Sequence, residues 1–169
     1  MQKVNSYKIP LSGEARENLR KKGQFWTPDW VAEAMVDYVF ANQGGLLFDP
    51  AVGAGAFFRA AKVIAYEKNL HYSLSGMDID PNALNEAIQY GLLKEDINHV
   101  KIGDFIFQSI NDKLSAIVAN PPYIRHHRIS LETKKKLKQL SMENAGIVLD
   151  GRAGLHIYFL IRALTIGTL

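Results

Sequence analysis

The sequence contains four short apolar stretches that each end in polar residues, and helical segments separate the first three. The stretches are "GGLLFDP" (44–50), "YSLSGMDID" (72–80), "HVKIGDF" (99–105) and "LSAIVAN" (114–120). Apolar runs without polar alternation are typical of strands buried on both faces of a sheet. Strands that alternate with helices predict a doubly wound α/β fold with a mostly parallel sheet.

Three helices are predicted around these strands. The first covers about 28–42, with Thr27 as its N-cap and Pro28 at its first position, and the others cover 55–69 and 81–93. Apolar residues at helical spacing mark the expected buried stripes. These are Val31, Met35, Tyr38 and Val39 in the first helix, Phe57, Ala60, Ala61 and Ile64 in the second, and Leu84, Ala87, Ile88 and Leu92 in the third.

Composition limits the class of protein. A chain of 169 residues that is 47% hydrophobic fits one globular domain, expected here at 23–169 after an N-terminal arm at 1–22. The absence of cysteine excludes disulfides and thiolate metal sites and fits a reducing, cytoplasmic setting. The longest apolar stretch, 155–169, contains His156 and Arg162 and is too short to span a bilayer.

The segment "DPAVGAGAFF" (49–58) predicts a nucleoside-binding loop. Gly53 and Gly55 allow a tight turn and a close approach of the backbone to a ligand. Phe58 stands where a dinucleotide fingerprint requires a third glycine, and no Gly-Lys-Ser/Thr sequence follows. Neither a dinucleotide loop nor a phosphate P-loop is therefore predicted.

Polar residues end each predicted strand at the same edge of the sheet. They are Asp49, Asp78, Asp104 and Asn120, and each alone is typical of a turn or a helix cap. In doubly wound sheets ligands bind outside the carboxyl ends of the strands, so the series predicts one shared pocket. Asp78 is placed to accept hydrogen bonds from ribose hydroxyls. Asp104 with Phe105 suits an adenine amino group and ring, or forms a simple turn.

Five segments, in this order, resemble motifs of the S-adenosylmethionine-dependent DNA adenine-N6 methyltransferases. "GQFWTP" (23–28) resembles the motif that folds over the methionine end of the cofactor, and "FDPAVGAGAF" (48–57) resembles the glycine loop. "GMDIDP" (76–81) and "GDF" (103–105) are similar to the ribose and adenine motifs, and "NPPY" (120–123) to the catalytic tetrapeptide.

The resemblance implies a Rossmann-like sheet of the class I methyltransferase type, with strand order 3-2-1-4. It implies S-adenosylmethionine as cofactor and DNA, with its target adenine flipped out, as partner in a prokaryotic restriction–modification system. The implied catalytic residues are Asn120, Pro121, Pro122 and Tyr123. The implied cofactor-binding residues are Thr27, Asp49, Ala51, Gly53, Gly55, Asp78, Ile79, Asp104 and Phe105. No metal site is expected, because the neighbours His126 and His127 have no third ligand.

The chemistry of an adenine amine explains a rigid Asn-Pro-Pro corner. The N6 lone pair is delocalised into the ring, so the amine is a poor nucleophile. The Asn120 amide oxygen and the Pro121 carbonyl can accept hydrogen bonds from it and favour the tetrahedral nitrogen of the transition state. The prolines fix both acceptors, and Tyr123 offers a face on which the base can stack.

Other functions remain open at this point. RNA adenine and protein-glutamine methyltransferases use a similar corner, and a non-catalytic binding module would keep the fold without the reaction. A basic run favours contacts with the DNA backbone, although such runs are also typical of a solvated helix face. Its members are Arg125, His126, His127, Arg128, Lys134, Lys135, Lys136 and Lys138.

The family continues with further strands and a target-recognition region, for which this sequence shows no match. We therefore expect a truncated catalytic domain that binds cofactor weakly and does not methylate DNA unaided. An open edge on the fourth strand predicts self-association.

Overall fold

A computed structural model of the chain describes residues 26–41, 43–110, 114 and 116–167. The expected arm at 1–22 and the first three residues of "GQFWTP" lie outside the described residues. The helices are α1 (Asp29–Phe40), α2 (Ala56–Lys68), α3 (Asn82–Gln89), α4 (Leu131–Ala145) and α5 (Leu155–Ile166). The strands are β1 (Gly45–Asp49), β2 (Tyr72–Asp78) and β3 (Val100–Ile102), and short 3-10 turns cover Lys94–Ile97 and His126–Arg128.

The sheet is parallel, with β2 between β1 and β3. This confirms the predicted strand order 3-2-1. The predicted fourth strand at 114–120 lies beside β1 as expected, but its described residues pair only at isolated bridges, from Phe48 to Ile117 and from Leu114 to Gly167. Two hydrogen bonds flank the first bridge, from Phe48 N–H to Ala116 O at 2.9 Å and from Val118 N–H to Phe48 O at 3.0 Å. The pairing cannot extend past Asn120, because two prolines without N–H groups follow.

Two apolar clusters cover the two faces of the sheet. Adjacent residues of β1 point to opposite faces, and Leu47 packs in one cluster while Phe48 packs in the other. The first cluster joins α1, α2 and α3 to the sheet, and the second joins α4 and α5 to it. The predicted doubly wound architecture is therefore confirmed. Among the described helices, none has both the length and the apolar composition needed to cross a bilayer.

The predicted buried stripe of α1 is only partly correct, since Met35 and Val39 are partly buried against the first cluster. Ala32, Val36 and Phe40 are buried, whereas Tyr38 is 86% exposed. Apart from Asp29, Glu33 and Asp37, which follow one another at intervals of four, apolar residues cover most of the circumference of this helix, so their period alone does not select the buried face. Thr27 is not its cap either, because Pro28 is the N-cap residue and makes no side-chain capping bond.

The stripe predicted for α2 is confirmed, since Phe57, Ala60, Ala61 and Ile64 are all buried. In α3 the stripe is only partly correct. Ala83 and Ala87 are buried and Ile88 is 37% exposed. The α3 helix ends at Gln89, so that Leu92 is buried from the turn that follows it.

Candidate active site

A cavity of about 430 Å³ opens at the carboxyl ends of the strands. The four strand-end residues Asp49, Asp78, Asp104 and Asn120 all line it, so the structure brings together the side chains that the sequence predicts to converge. Its walls also include other residues of the predicted site, which are Thr27, Ala51, Gly53, Ile79, Phe105 and Pro122.

The carboxylate of Asp78 holds the glycine loop against β2. Its Oδ2 atom accepts a hydrogen bond from Gly53 N–H at 2.7 Å, and its Oδ1 atom accepts one from Asp80 N–H at 2.8 Å. Gly53 has a φ of 52°, in the left-handed region that favours glycine. Burial raises the pKa of Asp78, and these two N–H groups oppose the rise.

Asp49 is the most deeply buried of the three carboxylates. Its Oδ1 atom accepts a hydrogen bond from Ala51 N–H at 2.9 Å, whereas its buried Oδ2 atom has no hydrogen-bond partner among the described residues. Burial raises the pKa of Asp49 to about 8, against the Ala51 bond that lowers it, and the charge of Asp78 adds to the rise. The site therefore contains an acid that favours a cation or a hydrogen-bond donor as partner.

Asp104 forms the turn that the sequence offered as an alternative. Its Oδ1 atom accepts a hydrogen bond from Ile106 N–H at 2.9 Å. Phe105 is 2% exposed and packs between Phe48 and Phe159, with ring centroids 6.1 and 5.2 Å away. The aromatic ring is thus held by the core as it lines the cavity, and its contact with an adenine stays a prediction.

The Asn120 corner is joined to Thr27, the residue before the N-cap of α1. Asn120 Nδ2 donates a hydrogen bond to Thr27 Oγ1 at 3.1 Å, across 93 positions of sequence. Pro122 lines the cavity beside them, whereas Pro121 faces a separate apolar groove between α1 and α5.

Tyr123 lies outside the cavity walls and is 47% exposed. Its ring packs on His156, with centroids 5.3 Å apart and planes at 33°. Gly154 makes room for this histidine, since a Cβ there would lie 2.8 Å from His156 Cε1. Leu155 N–H donates to Ile124 O at 3.0 Å and fixes the start of α5 against the corner.

Gly55 does not line the cavity. It precedes α2 with a φ of 76°, and a Cβ there would overlap the side chain of Leu92. Its visible role is close packing.

The cavity also has walls that the sequence did not predict. Trp26 is next to the predicted site residue Thr27. No local sequence motif marks Glu86, Leu155 or Phe159 as site residues.

The basic run lies on the 3-10 turn and on α4. Ser130 caps α4 by accepting a hydrogen bond from Thr133 N–H at 3.1 Å. Leu137 is buried beneath the helix, while Lys135 and Lys138 are exposed. Within the part of the chain that the structure describes, no group of three or more metal-ligating side chains is found.

The family model described as N-6 DNA Methylase matches residues 5–154. The type II methyltransferase M.AccI of Acinetobacter calcoaceticus is 28% identical over 149 residues, which cover 88% of this chain and 26% of that protein. The release factor glutamine methyltransferase of Clostridium acetobutylicum is 28% identical over 101 residues, 59% of this chain and 35% of that protein.

A similar solved structure is the type I restriction–modification system methyltransferase subunit from Streptococcus thermophilus. It has a TM-score of 0.64 and 19% sequence identity, and the match covers 91% of this chain and 36% of that chain. This likeness supports the fold. The chain spans about a quarter of the length of the type II methyltransferases that it matches.

Proposed function

The chain belongs to the N-6 DNA methylase family, and we propose that it carries the methyl-transfer centre of a site-specific DNA adenine-N6 methyltransferase. The observation that supports this most strongly is the position of Asn120. Its amide lies on the same cavity as the strand-end carboxylates Asp49, Asp78 and Asp104. The cofactor pocket and one acceptor for an amine, the Asn120 amide, are thus continuous.

The cavity residues fit S-adenosylmethionine. The Asp78 oxygens each accept one backbone bond and keep further lone pairs for ribose hydroxyls. The Asp104 carboxylate suits the adenine amino group, and the orphaned Oδ2 of Asp49 suits the positively charged methionine end. When bound, S-adenosylmethionine supplies an electrophilic methyl group on a sulfonium.

The corner prepares the target amine by accepting its hydrogen bonds. The Asn120 Oδ1 atom and the Pro121 carbonyl take one N–H each and stabilise the positive charge that grows on N6 during attack. The rigid prolines hold these acceptors in place before the reaction, so little ordering remains for the transition state. No strong base is needed for this step.

A base must leave the duplex to reach this corner, and Tyr123 provides a ring on which it can stack. His156 supports that ring on one face. The exposed lysines of α4 suit non-specific contacts with phosphates, which orient a duplex without reading its sequence. The matched type II methyltransferases come from bacteria, which supports a role in a prokaryotic restriction–modification system.

A second candidate is a protein-glutamine methyltransferase, favoured by the Clostridium acetobutylicum relative. A glutamine amide is planar and would benefit from the same acceptors. The cationic run beside the corner favours a nucleic acid, because a release factor loop does not need phosphate contacts. Tritiated methyl label found in glutamine and absent from DNA would favour this second candidate.

The cofactor half of the proposal is tested by calorimetric titration of S-adenosylmethionine into the chain. Binding is expected in the wild type and is expected to be lost in Asp78→Ala, because this change removes the ribose acceptors and releases the glycine loop. Asp150→Ala, on the exposed surface, is the matched control and should bind as the wild type does. Binding that is absent from the wild type, or unchanged in Asp78→Ala, would contradict the proposed site.

A further inference from the structure

We propose that Thr27 is a positioning residue that holds the Asn120 amide in the orientation needed for methyl transfer. The inference rests on the proposed function of the Asn120 corner and adds a residue that acts through it. Its basis is the hydrogen bond from Asn120 Nδ2 to Thr27 Oγ1, 3.1 Å long.

The folded chain brings these two residues together, although they lie 93 positions apart in the sequence. Thr27 directly precedes the N-cap of α1, which packs on α2. Asn120 follows the segment that bridges β1 at Ile117. Both side chains are half-buried and line the same cavity. The Thr27 hydroxyl does not cap α1, since no side-chain capping bond is present there.

An amide side chain has two ends of nearly equal shape and opposite hydrogen-bonding character. The oxygen accepts and the nitrogen donates. If the Asn120 amide turned over, its nitrogen would face the target amine and could not accept a hydrogen bond from it. In the structure Nδ2 donates to Thr27 Oγ1, and the oxygen is the opposite end of the amide. Because a hydroxyl can donate as well as accept, Thr27 does not by itself choose between the two ends. Its hydrogen bond holds the Asn120 side chain on the cavity wall, in the position from which the oxygen can assist attack.

The expected size of this effect is modest. A net hydrogen bond of ordinary strength favours the bonded position of the Asn120 side chain over unbonded positions by roughly 2- to 12-fold. Loss of the Thr27 hydroxyl is expected to lower kcat by about this factor and to leave the KM for S-adenosylmethionine unchanged. If Thr27 served only as a cofactor ligand, the KM would rise and the state of the Asn120 amide would not change.

The test is nuclear magnetic resonance of the Asn120 side-chain amide in the 169-residue chain without cofactor. Asn120→Asp assigns the signal by its disappearance. The wild type should show one Nδ2 proton that is hydrogen-bonded and exchanges slowly with water. In Thr27→Val the signal should move towards that of an exposed asparagine and exchange faster, and in Thr27→Ser it should resemble the wild type.

Controls separate this role from a general loss of structure. Thr165→Val removes a hydroxyl bond of 2.8 Å to the Arg162 carbonyl and should leave the Asn120 signal unchanged. Thr27→Ala removes the same hydroxyl as Thr27→Val and gives an independent reading if the valine variant does not fold.

An Asn120 signal that is the same in the wild type, Thr27→Val and Thr27→Ala would overturn the inference. A serine variant that behaves like the valine variant would overturn it as well. Failure of the proposed function is read separately, from a wild type that binds no S-adenosylmethionine while its Asn120 signal still depends on Thr27.

Discussion

Replacing Asp49 with asparagine is expected to stabilise the fold and to weaken cofactor binding. The Asp49 side chain is 1% exposed, and one of its oxygens has no hydrogen-bond partner in the described part of the chain. Burial raises its pKa from 3.8 to about 8. The folded chain therefore keeps a proton at Asp49 that the unfolded chain releases above about pH 4.

The sign and size of the effect follow from proton linkage. Between about pH 4 and about pH 8 the folded state binds one more proton than the unfolded state, so the free energy of unfolding falls by about 1.4 kcal/mol per pH unit. Over this interval the loss is on the order of 6 kcal/mol, of which roughly 4 kcal/mol is reached by pH 7. Asp49→Asn keeps an oxygen for the Ala51 N–H and has no proton to lose.

The assay is urea unfolding of the wild type and Asp49→Asn from about pH 5 to about pH 9. The variant should exceed the wild type by a margin that grows with pH and levels off above about pH 8. Asp150→Asn is the control. Arg152 lowers the pKa of this exposed carboxyl, so Asp150 takes up a proton only in acid. If the difference in free energy of unfolding between Asp49→Asn and the wild type did not change with pH, Asp49 would not be a buried, protonated acid.

The same variant should bind S-adenosylmethionine more weakly, because an amide, unlike the acid, has no proton to release and cannot become a carboxylate beside the charged end of the cofactor. Greater stability with lower affinity is the signature of a residue kept for function at a cost in folding. Unchanged affinity in Asp49→Asn would show that Asp49 lines the cavity without contacting a cation.

Three further predictions concern the corner, its support and the basic segment. Asn120→Ala should lower methyl transfer by about 10²- to 10³-fold with cofactor affinity retained, because one placed acceptor is lost; a smaller loss than about tenfold would contradict its role. His156→Ala should raise the KM for DNA and His156→Phe should restore it, since an aromatic ring is what supports the corner tyrosine; equal values in both variants would argue against stacking. Lys135→Gln combined with Lys138→Gln should reduce the salt dependence of DNA binding by about two in the log–log slope, measured by fluorescence anisotropy. Lys136 forms an ion pair with Glu132 at 2.8 Å, and Lys136→Gln should reduce the slope less.

Features that depend on local pattern could be predicted from the sequence. Apolar runs ended by Asp49, Asp78 and Asp104 located the strand ends, and parallel pairing then required these side chains to meet at one edge. The buried face of α1 could not be predicted, because apolar residues cover most of the circumference of this helix and mark no single stripe. The neighbouring helices make the selection in the folded chain.

Contacts between residues that are distant along the chain could not be predicted from the sequence either. Thr27 and Asn120 were each identified as site residues, but nothing local indicated that they bond to each other. His156 has the pattern of an ordinary helix residue. Its position under Tyr123 follows from the way α5 begins against the corner, with Gly154 leaving space for the ring.

The central claim is that the Asn120 corner directs a methyl group onto the N6 atom of adenine. The most direct measurement uses a protein that carries this chain together with the further strands and target-recognition region of the family, incubates it with tritiated S-adenosylmethionine and unmethylated DNA, and then identifies the labelled nucleoside after digestion. The account predicts label in N6-methyldeoxyadenosine that disappears in Asn120→Ala. Label in a cytosine product, or adenine label that persists in Asn120→Ala, would contradict it.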